Sequence, residues 1–181
     1  MKHNTSVIPP AITSQPALKF RSKGFTIIEL VVVIVILGIV SVTAASKFLN
    51  LQADARISTL NGLKGGMEGA SAMLYGKTSA LGLDKAASAS VNVEGDDISV
   101  VYGYPAAINS DAWSMLIEST FLDAEWGVGN ADWFFTNVSA GDGTIIYAPA
   151  SRKKEGDNCY LEYQEATETT TPVFTLTTDG C

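Results

Sequence analysis

The stretch FTIIELVVVIVILGIVSVTAA, residues 25–45, decides how the rest of the chain is read. It is an apolar run interrupted by a single charge, Glu29. As a helix its 21 residues rise about 32 Å, enough to cross the roughly 30 Å hydrocarbon core of a bilayer. The β-branched residues between Val31 and Ile36 have modest helix propensity, but lipid offers no partner to open backbone groups and so enforces the helix. Lys2, Lys19, Arg21 and Lys23 precede the run without any acidic residue, which holds its amino end in the cytoplasm.

Helical periodicity continues beyond the run. Phe48, Leu49, Leu51, Ala55, Ile57, Leu60 and Leu63 recur near three- and four-residue spacings among Lys47, Gln52, Asp54, Arg56 and Lys64. A helix from Phe25 to about Tyr75 is near 75 Å long, too long to bury in a domain of this size. Its first half is expected to protrude.

Two processing schemes fit a basic leader and an apolar run. A secretory signal is cut after a small-x-small site, for which Val42-Thr43-Ala44 qualifies. Against it stands Glu29, since a carboxylate in a membrane segment costs roughly 2.5 to 3.5 kcal/mol on insertion scales and a discarded peptide gains nothing from it.

Charge and composition narrow the functions further. After residue 24 the chain carries eight basic and nineteen acidic groups, a net −11, which repels nucleic acid. The one histidine, His3, lies in the leader, so imidazole-dependent catalysis or metal binding has no candidate in the body of the chain. Cys159 and Cys181 read as one disulfide and hence an oxidising compartment. No enzymatic activity, catalytic residue, metal or cofactor is expected.

The residues Lys23-Gly24-Phe25-Thr26-Ile27-Ile28-Glu29-Leu30 resemble the processing site of type IV prepilins. The pattern is a basic residue, the glycine before the cut, a phenylalanine that becomes the methylated amino terminus, and a glutamate four residues on. The longer string LGIVSVTAASKFLNLQADAR, residues 37–56, is similar to the mannose-sensitive haemagglutinin pilins of the type IVa group. Val101-Tyr102-Gly103-Tyr104-Pro105 and a terminal cysteine extend that likeness more loosely. Ser46 stands where many type IVa pilins carry proline, so a helix break there is weakly encoded.

The resemblance implies a leader at 1–24 removed by cleavage between Gly24 and Phe25, and N-methylation of Phe25. It also implies a fibre-core helix at 25–45 and a globular head at 46–181, with a disulfide-bounded region at 159–181 on an exposed edge. Glu29 then sets assembly register by facing the new amine of a neighbouring subunit, because an unpaired charge in an apolar core is heavily penalised. The implied partners are further copies of the chain through their N-terminal helices, a prepilin peptidase and methylase, the pilus assembly machinery, the inner membrane before assembly, and a host or surface glycan. Nucleic acid is not among them. The expected role is a structural subunit of an adhesive extracellular pilus, with a type II secretion pseudopilin as the alternative.

The expected fold is α+β, with the carboxyl half of the long helix packed on an antiparallel sheet. Short alternating runs at 98–104, 132–138, 144–148, 159–164 and 173–178 read as its strands. Ser110 is placed as the cap of a short helix with Trp113, Leu116, Ile117 and Phe121 on one face. Gly62, Gly66 and Gly69, with Ala70 and Ala72, suggest a small-residue face that lets the sheet approach the helix; the alternative is a helix that ends near Gly65. Trp113, Trp126 and Trp133 read as core before carbohydrate platform. Arg152-Lys153-Lys154 reads as a solvated loop, and Gly141-Asp142-Gly143 and Asp96-Asp97 as turns.

Overall fold

The structure is a computed structural model that describes residues 24–138 and 142–181, without side chains at 46, 49 and 50. The leader before Gly24 and the glycine at 141 lie outside the described residues. The chain divides into two compact units, Met1–Thr43 and Ala44–Cys181.

Helix α1, Ile27–Ala80, is continuous through Gly38 and residue 46. Its apolar segment, Ile27–Ala45, is long and apolar enough to cross a membrane, and none of its hydrophobic window is buried. Hydroxyls inside that segment are satisfied by their own helix: Ser41 Oγ donates to the Leu37 carbonyl at 2.6 Å and Thr43 Oγ1 to the Val40 carbonyl at 2.9 Å. Neither therefore needs a partner from a lipid environment.

In the second unit α1 buries Leu60, Leu63, Met67, Ser71, Leu74 and Thr78, a single stripe at three- and four-residue spacing. The stripe packs in one core with Val91, Ile98, Val100, Ile145, Tyr147, Leu161 and Tyr163. Each such large apolar side chain contributes roughly 1.5 to 3 kcal/mol on burial. The glycines do not form this contact. A Cβ built on Gly62, Gly65 or Gly69 meets nothing within 4 Å, and one on Gly66 only grazes Ile117. The expected small-residue face is thus corrected, because large side chains rather than bare backbone meet the sheet, and the helix runs past Gly65 to Ala80.

Among the described residues eight strands form two sheets. Strands β1 (Ala89–Val93), β2 (Asp96–Val101) and β3 (Tyr104–Pro105) make an antiparallel sheet in that order. Strands β4 (Phe121–Asp123), β5 (Trp133–Asn137), β6 (Thr144–Pro149), β7 (Tyr160–Gln164) and β8 (Val173–Thr177) make the second. It is antiparallel except at its edge, where Phe121 pairs with Trp133 in a parallel ladder. The α+β fold with a helix on antiparallel sheet is present. Residues 98–104, expected as one strand, form a hairpin turning at Tyr102-Gly103, and β1 and β4 are strands without a marked alternation in the sequence.

The short helix also differs from expectation. Asn109–Trp113 forms a π-helical turn leading into Ser114–Leu116, entered from Ile108 without a side-chain cap. Ser110 lies inside the turn and Phe121 opens β4. Trp113 is fully buried, with its ring edge-on to Tyr163 at 4.7 Å, so core packing and not capping holds the turn.

Candidate processing and assembly site

The first turn of α1 is built by its own side chains. The Thr26 backbone N–H donates to Glu29 Oε2 at 2.8 Å and the Thr26 hydroxyl to the same oxygen at 2.7 Å. The Glu29 backbone N–H returns a bond to Thr26 Oγ1 at 3.3 Å. This reciprocal pair is a capping box, Thr-x-x-Glu, which satisfies donors that a helix start leaves open. The Thr26-Ile27-Ile28-Glu29 spacing carries this capping signal in the sequence, beside the motif and register roles expected of Glu29. Both side-chain bonds fall on Oε2, and Oε1 has no partner among the described residues.

Gly24 and Phe25 immediately precede this turn in non-helical conformation. Phe25 is 76 % exposed, and with Ile28, Val32 and Val33 it lines a shallow apolar groove beside Glu29 of about 290 Å³. A backbone free of helix hydrogen bonds, with a glycine that places no side chain in the way, is accessible to a peptidase.

Residues 19–45 match the prokaryotic N-terminal methylation motif. No curated protein and no solved structure matches the chain. The matched segment spans the basic end of the leader, Gly24, Phe25, Glu29 and the apolar part of α1. The chain therefore carries an amino-terminal segment similar to that of type IV prepilins, which supports a pilin- or pseudopilin-like subunit. The motif implies processing by a prepilin peptidase, membrane anchoring before assembly, and incorporation into a pilus-like polymer.

At the other end of the chain, Cys159 and Cys181 are bonded, with Cα atoms 4.8 Å apart. The bond closes around the β7–β8 hairpin. Arg56 of α1 donates to the Cys181 carbonyl and, at 3.0 Å, to Ser151 Oγ, while the Gly180 N–H donates to the Asn158 carbonyl at 2.9 Å. The closed end is thereby tied to the helix, a contact across 125 positions that no local pattern encodes.

The remaining candidates separate. Trp113 fills the core while Trp126 is 77 % exposed, so the three tryptophans make no shared platform. Lys153 sits 5.0 Å above the Phe134 ring, and Arg152 is half-buried, so only part of the basic trio is a solvated loop. Asp96 and Asp97 open strand β2, with Asp97 opposite Asn92 and accepting a hydrogen bond from its side chain, so the turn expected there is corrected: the chain turns at Glu94-Gly95, where the backbone has positive φ. Among the described residues no group of three or more His, Cys, Asp or Glu is placed to hold a metal.

Proposed function

We propose that this protein is the major subunit of a type IV pilus, of the type IVa group and nearest the mannose-sensitive haemagglutinin pilins. In this reading the leader 1–24 is removed behind Gly24, Phe25 becomes the N-methylated terminus, and residues 25–45 pass from the inner membrane into the fibre core. The head, 46–181, faces the periplasm before assembly and the exterior afterwards, where it supports attachment to surfaces or glycans. The observation that carries the reading is the Gly24-Phe25 junction with Glu29 inside the matched motif, followed by an unbroken helix.

Glu29 acts as the register group. Its Oε2 is engaged by Thr26 of the same chain, and Oε1 remains for the Phe25 amine of a neighbour. A neighbour seated one turn out of register leaves amine and carboxylate apart in an apolar environment, at a cost of several kcal/mol per ion.

The test is the mass and sequence of the mature amino terminus in sheared surface material and in membranes. Methylated Phe25 in sheared fibres is the expected result. Methylated Phe25 confined to the envelope, with loss of protein secretion on deletion, transfers the chain to the pseudopilus of a type II secretion system. A start at Ala45, or an uncut Met1, overturns both.

A further inference from the structure

Strand β4 runs into a built protrusion. Asp123 Oδ1 accepts from the backbone N–H of Glu125 at 2.8 Å and of Trp126 at 3.0 Å, and the Gly127 N–H donates to the Asp123 carbonyl at 2.8 Å. Position 127 has to be glycine, since a Cβ there would collide with that carbonyl. The turn wound on Asp123 holds Trp126 77 % exposed and Val128 98 % exposed. A fixed turn that keeps an indole and a valine in water forgoes burial that would favour the folded head.

A second surface has the opposite form. Met73 and Leu74 of α1, Val93 at the end of β1, and Met115 and Leu116 after the π-helical turn wall an apolar groove of about 290 Å³. Small-molecule sites begin at about 300 Å³, so this groove suits inserted side chains better than a free ligand. Met73 is 80 % exposed and Met115 43 %. Methionines re-pack easily and their sulfur favours the edge of an aromatic ring, so this pair can close on an indole. The charged members of the groove are Lys77, whose ammonium donates to the Asn92 carbonyl, and Glu94.

Protrusion and groove belong to one chain but do not meet within it, because neither Trp126 nor Val128 lines the groove. Charge indicates what covers it. The chain after residue 24 is net −11, so most faces of two copies repel. At the groove one lysine balances one glutamate, and the Lys77 ammonium has further donors for Glu125, the residue before the exposed indole. A protruding patch seated in a pocket elsewhere on an identical molecule makes a head-to-tail contact, which passes from copy to copy. Its area is small: one tryptophan and one valine bury a few hundred Å² at most, against about 1,200 to 2,000 Å² for a stable complex. The contact therefore forms between copies that another interface already keeps close, where effective concentration replaces affinity.

We propose that Trp126 and Val128 of one head insert into the Met73–Met115 groove of a second copy, with Glu125 against Lys77, so that heads interlock one after another. The contact rests on the polymer reading above only for the interface that keeps copies close. Full chains carrying Val128→Cys and Met73→Cys singly, both at exposed positions, are produced together in the cells that assemble them, oxidised, and examined as membranes and as sheared fibres. A disulfide between position 128 of one chain and position 73 of another is expected, about tenfold or more above the yield when Leu81→Cys, exposed on α1 outside the groove, replaces Met73→Cys. Glu125→Lys should lower that yield and Lys77→Glu added to it should restore it, a reversal that a merely structural turn does not give. A chain bearing both cysteines should give a ladder of multimers. Linkage no higher than the Leu81→Cys control in both membranes and fibres, indifference to both charge changes, dimers alone from the doubly substituted chain, or linkage of position 128 to a different protein overturns the contact. Linkage in membranes of cells that make no fibres supports the contact and counts against the fibre reading alone.

Discussion

Asp132 shows how much one exposed side chain can organise. Its Oδ2 accepts from the Thr120 hydroxyl at 2.6 Å, the Thr120 backbone N–H at 3.0 Å and the Ser119 hydroxyl at 3.2 Å, closing the approach to β4 and β5. The Thr120 hydroxyl, then its N–H, then Ser119 hold the carboxyl below its ordinary value of 3.8. A depressed folded-state value contributes stability that is whole above the unfolded value and is lost as pH falls through the folded one. Thermal unfolding followed from pH 6 to about pH 2 should show a decline below pH 4 that is shallower in Asp132→Asn. Parallel declines would remove Asp132 from the account. The same kind of local bond, Thr26 with Glu29, could be read from four adjacent letters, whereas the pairing of Arg56 with Cys181 could not.

At the scale of elements, α1 does two jobs with one geometry. Its first part presents apolar side chains all round, and its last turns present a stripe to the sheets and polar or small residues elsewhere. Gly62 and Gly69 lie on the exposed side with open space where a Cβ would stand. Replacing either by alanine should therefore raise the stability of the head by about 1 kcal/mol, since glycine costs that much in a helix interior. Denaturant unfolding of each variant checks this, and a destabilisation would mean that the glycines are packed after all. In the five-stranded sheet, β6 is central, and Ile145, Ile146, Tyr147 and Ala148 are buried on both faces. That is why its sequence reads as a nearly continuous apolar run. Strand β4, three residues long and half-buried, offered no such pattern.

For the whole molecule, the far end of the chain is held to the rest by one disulfide, by the β7–β8 ladder, by Phe174 and Leu176 packed against the core, and by polar bonds such as that of Arg56 to Cys181. The disulfide spans 22 positions, and in the loop-entropy model this stabilises the head by about 3 kcal/mol. The double variant Cys159→Ser with Cys181→Ser should unfold at correspondingly lower denaturant, and its hairpin β7–β8 should become the first site of proteolysis. Unchanged unfolding would show that Arg56 and the β-ladder hold that end unaided. The net −11 of the chain after residue 24 also makes subunits repel one another at low salt. Polymerisation that depends on apolar helices and the Glu29–amine pair is the opposing force in the proposed fibre.

The sequence by itself determined the membrane-length helix, the processing motif and the α+β class. These rest on interactions between near neighbours: apolar residues in an unbroken run, a glycine and a phenylalanine before a glutamate, and alternation within single strands. Tertiary structure alone decided which helix face is buried, that residues 98–104 turn back as a hairpin, and that β4 joins β5 in parallel. It also brought Tyr75 of the helix against Tyr104 of a strand 29 positions later. Such choices depend on how volumes fill a shared core across long separations, and pairwise neighbours in the chain carry no record of that competition.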